Sequence, residues 1–95
     1  MFLVFLKFSD NKSQAKQFMD SHNKWINQGF DDDVFLMVGS LKDGSGGSVM
    51  AHNTTIDELE SRVNNDPFVA ENIVAPEIIE ITPAKCNTRL NFLLP

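Results

Sequence analysis

The chain opens with Phe2-Leu3-Val4-Phe5-Leu6-Lys7-Phe8, a run that is apolar in both phases of an alternating pattern. Phe2, Val4, Leu6 and Phe8 fall on one side of an extended segment, Leu3 and Phe5 on the other. Aromatic and branched residues without a helical period, ending at Ser9-Asp10-Asn11, predict a β-strand. Val34-Phe35-Leu36-Met37-Val38 repeats the pattern and runs on through Gly39-Ser40-Leu41. A strand that is apolar on both sides belongs in a sheet covered on both sides. That demand is severe for 95 residues, because a domain of this size buries only about two-thirds of the surface its unfolded chain exposes.

Between these strands the period changes. Ala15, Phe18, Met19, His22, Ile26 and Gly29 recur at three- and four-residue steps, which predicts one helix from Ser13 to about Gln28, with Ser13 as N-cap and Gly29 as its stop. Asp43-Gly44-Ser45-Gly46-Gly47 has the composition of a turn, and Ser48 to Asn53 supplies a returning strand. Thr54 or Thr55 caps a second short helix closed by Val63 and broken at Asn64-Asn65; Asp66-Pro67 reads as the N-cap and first residue of a further helical turn, Phe68 to about Asn72. Ile78-Ile79-Glu80-Ile81 is the last strand.

The order strand, helix, strand, strand, helix, strand, with right-handed crossovers, is that of an α+β ferredoxin-like βαββαβ sandwich. Two helices cover one face of a four-stranded sheet. Three strands carry apolar side chains toward both faces, so the second face calls for a second copy of the sheet, a homodimer with a shared interior. Residues 1–85 form the predicted domain. The tail, residues 86–95, contains Arg89-Leu90-Asn91-Phe92-Leu93-Leu94; it is expected to pack on the domain or on a neighbouring subunit, with a higher homo-oligomer as one outcome.

Charge and cysteine usage remove several functions. Thirteen acids against eight bases give a net charge of -5, and the bases are scattered, which argues against a nucleic-acid partner. An RNA-recognition domain shares the strand order, but the third strand has no aromatic pair for stacking bases. The single cysteine, Cys86, forms no internal disulfide framework or Cys-rich zinc site. Met1 to Leu6 stops at Lys7, too short for a secretory core or a membrane span. The expectation is a cytoplasmic protein with no membrane partner.

Among chemistry-bearing residues, His22 is the most informative, because it lies on the apolar stripe of the first helix. It reads either as a general acid or base facing a pocket, or as a satisfied wall histidine. Asp66 is the partner that would orient its ring, as a carboxylate orients an imidazole in a catalytic dyad, although Asp before Pro at a helix start is by itself an ordinary cap. The two roles are compatible if one carboxylate oxygen accepts a backbone N–H and the other meets the imidazole. Asp31-Asp32-Asp33 lacks the spacing of a cation loop, and the glycine hairpin lacks the lysine of a phosphate loop; no metal and no cofactor is expected. Cys86, His52 and Trp25 read as structural, Trp25 packing rather than stacking a ligand.

These landmarks, taken in order, resemble the YciI-like (YCII-related) family. His22 with Gly29, Val38-Gly39-Ser40-Leu41, Gly46-Gly47-Ser48-Val49-Met50-Ala51, Asn65-Asp66-Pro67-Phe68-Val69-Ala70, and Ile78 to Lys85 match its elements in turn. The resemblance implies a dimeric α+β barrel with His22 and Asp66 as an acid/base pair. It also implies Phe18, Gly39, Ser40 and Phe68 around a pocket for an unknown small molecule. One branch of the family is similar to dehydrochlorinases of chlorinated hydroxyhydroquinones, so elimination or isomerisation by proton transfer is the implied chemistry. The alternative is a non-catalytic ligand-binding or dimerisation module. Ser40 stands where the family often has proline, and tyrosine is absent altogether.

Overall fold

The computed structural model describes residues 1–95. Four strands, β1 (Phe2–Phe8), β2 (Phe35–Ser40), β3 (Gly46–Ala51) and β4 (Val74–Glu80), alternate with α1 (Ala15–Asp31), α2 (Ile56–Asn64) and the single turn α3 (Pro67–Ala70). They form one antiparallel sheet in the order β2-β3-β1-β4. The two apolar strands thus have different surroundings: β1 is central, whereas β2 is an edge.

Phe2, Val4 and Leu6 of β1 are buried beneath the helices with Val49 and Ala51 of β3, Phe35 of β2, and Leu59 and Val63 of α2. Alternation sends Leu3 to the other face, where it lies between Met50 and Ile79, with Met37 beyond Met50. This row crosses all four strands, and its outer members, Met37 and Ile79, are more than two-fifths exposed. No helix of the chain covers it.

Several boundaries differ from the sequence reading for identifiable reasons. Ser13 does not cap α1; a 3-10 turn, Lys12–Gln14, leads into the helix, and Gln14 at the N-cap makes no side-chain bond. Gly29 does not stop α1, which runs on to Asp31. Gly29 is buried where a β-carbon would overlap the Phe35 ring, so it serves close packing between helix and sheet. The left-handed residue that turns the chain is Asp33, at φ 59°, a residue type that tolerates this conformation. β4 begins four residues before the predicted Ile78 because Phe8 of β1 pairs with Val74. Pro76 is accepted within it because β4 is an edge.

Thr55 caps α2 by accepting the Glu58 N–H, and Asp66 caps α3 with Pro67 as first residue, as the sequence predicts. The tail forms a 3-10 turn, Thr88–Leu93, whose Phe92 ring meets His52 edge to face at 5.5 Å. Leu90, Phe92 and Leu94 remain exposed.

Candidate functional site

α1 presents two stripes rather than one. Ala15, Phe18, Trp25 and Gly29 face the core, and Met19, Asn23 and Ile26 face a cavity of about 360 Å³ beside it. His22 sits on the boundary, touching the core elements while lining the cavity. The far wall comes from β-strand alternation: Val38 lies opposite Val49, and Gly47 lies between Ser40 of β2 and Leu6 of β1. Side chains on that face of the sheet point at α1.

Asp66 is completely buried. Its position is fixed twice, by Pro67 and by its own capping bond, in which Oδ1 accepts the Phe68 N–H at 3.0 Å. The same Oδ1 stands 2.7 Å from His22 Nδ1. The expected division of labour between the two oxygens is therefore not what occurs: Oδ1 serves both donors, and Oδ2 is buried without a hydrogen-bond partner in the protein. A carboxylate only accepts, so the pair requires the proton on Nδ1, which leaves Nε2 of the neutral ring as an acceptor. Nε2 has no protein partner and is not among the buried polar atoms; it is open to a ligand.

Packing holds the ring as firmly as the hydrogen bond does. Phe68 lies parallel to His22 at 3.9 Å between centroids and 3° between planes. Trp25 flanks the imidazole at 5.9 Å and is anchored by donating Nε1–H to the Arg62 carbonyl at 2.8 Å. A ring clamped in this way loses little orientational freedom when a proton is transferred at Nε2, which is the physical value of preorganisation.

Of the residues named from sequence, His22, Gly39, Ser40 and Phe68 line the cavity. Asp66 lies behind the histidine, within the core. Phe18 is a correction: it is one turn before His22 on the core stripe and packs against the buried cluster, leaving the lining role to its neighbour Met19. Trp25 does pack, and it also lines the cavity. The hairpin contributes Gly44, Gly46 and Gly47; Gly46 has φ 149° and lies where a β-carbon would strike the backbone of Leu6. Phe8 and Met19, partly exposed at the cavity, had no signal beyond their hydropathy.

The second histidine makes a weaker arrangement. His52 Nε2 is 3.7 Å from Oδ1 of Asp33, whose side chain is 81% exposed, and that nitrogen is buried without a hydrogen bond. Asp32 accepts from Gln28 and pairs with Arg62 at 3.0 Å, contacts that lower its carboxyl below the ordinary 3.8, the Gln28 bond most. No three His, Cys, Asp or Glu side chains converge as a metal site would require, and no helix is long and apolar enough to cross a membrane.

Fold and site together define a small α+β pocket protein in which a buried carboxylate holds a histidine at the cavity wall. The chain belongs to the YCII-related domain family, whose model matches residues 1–84. Among solved structures it is similar to 5-chloro-2-hydroxyhydroquinone dehydrochlorinase (TftG) from Burkholderia phenoliruptrix AC1100, in complex with 2,5-dihydroxybenzoquinone. The two share a TM-score of 0.69 and 16% sequence identity, over 86% of this chain and 94% of that one. At that identity the likeness establishes the fold alone. No curated protein sequence matches the chain significantly.

Proposed function

We propose that the chain is a small-molecule enzyme of the YCII-related family that moves protons with His22 while Asp66 orients the ring. The observation that carries this reading is the 2.7 Å contact between His22 Nδ1 and a completely buried carboxylate, with Nε2 left open at a cavity. A satisfied wall histidine would also need a partner at Nδ1; the Nε2 left open at the cavity is what favours proton transfer. Cavities from about 300 Å³ upward hold small ligands, and this one has an apolar wall with a few polar groups at Asn23, Ser40 and Ser48.

The chemistry follows from what Nε2 can do. It accepts a proton from a carbon or hydroxyl of an enolisable ring, and the imidazolium so formed is stabilised by Asp66. In elimination, the C–H electron pair forms the new π bond as chloride departs with its own pair. In isomerisation, the same proton returns to another atom. The solved neighbour is a dehydrochlorinase of a chlorinated hydroxyhydroquinone, which supports a planar, oxygenated ring as substrate class. Gly39, Ser40 and Phe68 are proposed as pocket residues. The test is turnover of chlorinated hydroxyhydroquinones, followed by chloride release, in wild type and His22→Ala. A loss of roughly 10²-fold or more is expected in the variant; equal rates, or binding without turnover in both, would make the pocket a ligand-binding module.

The same reading includes a homodimer across the open face of the sheet, residues 1–85 as the domain, and a reducing cytoplasmic setting that suits one free cysteine. The apolar row Met37, Met50, Leu3 and Ile79, which no helix of the chain covers and whose ends are exposed, supports it, because a second copy of the sheet would bury that row. Met37→Lys is expected to leave a monomer in sedimentation at concentrations where wild type is dimeric; a wild-type monomer would dismiss the dimer.

A further inference from the structure

The cavity wall carries no formal charge: apart from His22, none of its lining side chains is ionisable. A cation nevertheless stands at its edge. Lys12 Nζ lies 4.7 Å from the centroid of Phe8, a lining residue that is 37% exposed. The ammonium makes no salt bridge; the ion pairs of the chain engage His22, His52 and Arg62. A lone exposed ammonium over a phenyl ring is weakly held, and it exchanges that contact readily for an oxyanion.

The backbone beneath Lys12 is tied down on the site side. Ser9 N–H donates to the Ile73 carbonyl at 2.8 Å and Asn11 N–H to the Asn72 carbonyl at 3.0 Å. The Asn11 side-chain amide donates to the Glu71 carbonyl at 2.8 Å. Ile73 in turn donates its N–H to the Phe68 carbonyl at 2.9 Å. The rim bearing Lys12 is thus coupled to the segment that carries Phe68, the ring stacked on His22. Arg62 alone of the eight Lys and Arg side chains is in a salt bridge. What distinguishes Lys12 is its place, on an anchored rim beside an uncharged cavity, in a chain whose net charge of -5 otherwise repels anions.

We infer that Lys12 is a specificity-determining residue, selecting planar substrates that carry an oxyanion (a phenolate, enolate or carboxylate oxygen) over their neutral isosteres. The inference rests on the small-molecule reading of the His22 cavity and adds the charge of what enters it. Lys12 acts at the mouth, orienting the charged end outward and the reacting end toward Nε2. Its contribution is to binding rather than to the proton transfer itself, and it weakens with salt because the ammonium is exposed.

The test titrates the full chain with benzoate and with benzamide, which have the same shape and differ in charge, following the His22 and Phe68 side-chain resonances by NMR. Wild type is expected to bind benzoate about fivefold more tightly at low ionic strength, with the preference shrinking as salt is raised. Lys12→Met is expected to abolish the preference and Lys12→Arg to keep it. Equal binding of the two probes by wild type, or a preference that survives in Lys12→Met, would overturn the role of Lys12 while leaving the cavity a ligand site. Failure of both probes to move either residue would overturn the cavity reading and this inference with it.

Discussion

The chain holds two histidine–aspartate pairs near opposite ends of β1, and they differ in almost every physical respect. His22 and Asp66 meet at 2.7 Å with the acid completely buried. His52 and Asp33 stand 3.7 Å apart with the acid four-fifths exposed. The difference lies in what fixes the acid. Asp66 is an N-cap ahead of a proline, so local backbone geometry aims its Oδ1 independently of the histidine. Asp33 sits in a left-handed turn after α1, with water as an alternative partner at no cost. Proximity of complementary residue types makes a contact; prior fixation of one partner makes a site.

Substitution of the acids gives the largest contrast. Asp66→Ala removes a cap, worth about 1 kcal/mol, and strands the His22 donor in the core, a further 1–3 kcal/mol or so. Urea unfolding is therefore expected to show a loss of roughly 3 kcal/mol. Asp33→Asn, which keeps the left-handed turn comfortable, is expected to cost less than about 0.5 kcal/mol. Comparable losses in the two variants would erase the distinction.

A spectroscopic contrast is subtler. The neutral His22 ring is expected to hold its proton on Nδ1, the tautomer the carboxylate demands, and ¹⁵N shifts read this directly. In Asp66→Ala that population is expected to fall, whereas Asp33→Asn leaves the His22 tautomer unchanged. A His22 ring protonated on Nε2 in wild type would dismiss the orientation assigned to Asp66.

The smallest effect concerns carboxylates outside both pairs. Asp43 is held below the ordinary 3.8 by hydrogen bonds from Ser45, the side-chain bond first and the N–H at 2.9 Å next; Asp32 is lowered by Gln28 and Arg62. A carboxyl whose value is depressed on folding stabilises the native state above its unfolded value, and that contribution is lost as pH falls through the folded one. Asp43→Asn should therefore flatten the acid limb of a stability profile below about pH 4 while leaving stability near neutrality almost unchanged. An unaltered acid limb would show that the turn bond is not kept in solution.

Much of the fold was legible because local chemistry and tertiary need agreed. Thr55 and the Asp66-Pro67 pair were readable as helix starts because a cap depends only on neighbouring residues. The two-sided hydropathy of Phe2 to Phe8 marked a strand within a sheet. Gly29 misled, because a glycine that ends a helix and one that admits a neighbouring ring are the same letter; only the position of Phe35 separates them. Phe18 misled for a related reason. Helical periodicity reports which residues share a broad face, and the boundary between core and cavity on that face is drawn by what packs opposite.

His22 and Asp66 were each visible and separately ambiguous, since they are 44 positions apart and spacing carries no information about a contact that long-range folding makes. The amino-acid sequence by itself determined the element order, the caps, and a sheet apolar on both faces, because those follow from side-chain period and local hydrogen bonding. Tertiary structure alone decided that one carboxylate oxygen would serve both a helix start and an imidazole, and that α1 would divide its apolar stripe between core and cavity. Those outcomes depend on which surfaces meet in three dimensions, and hydropathy specifies that a surface is buried without naming its partner.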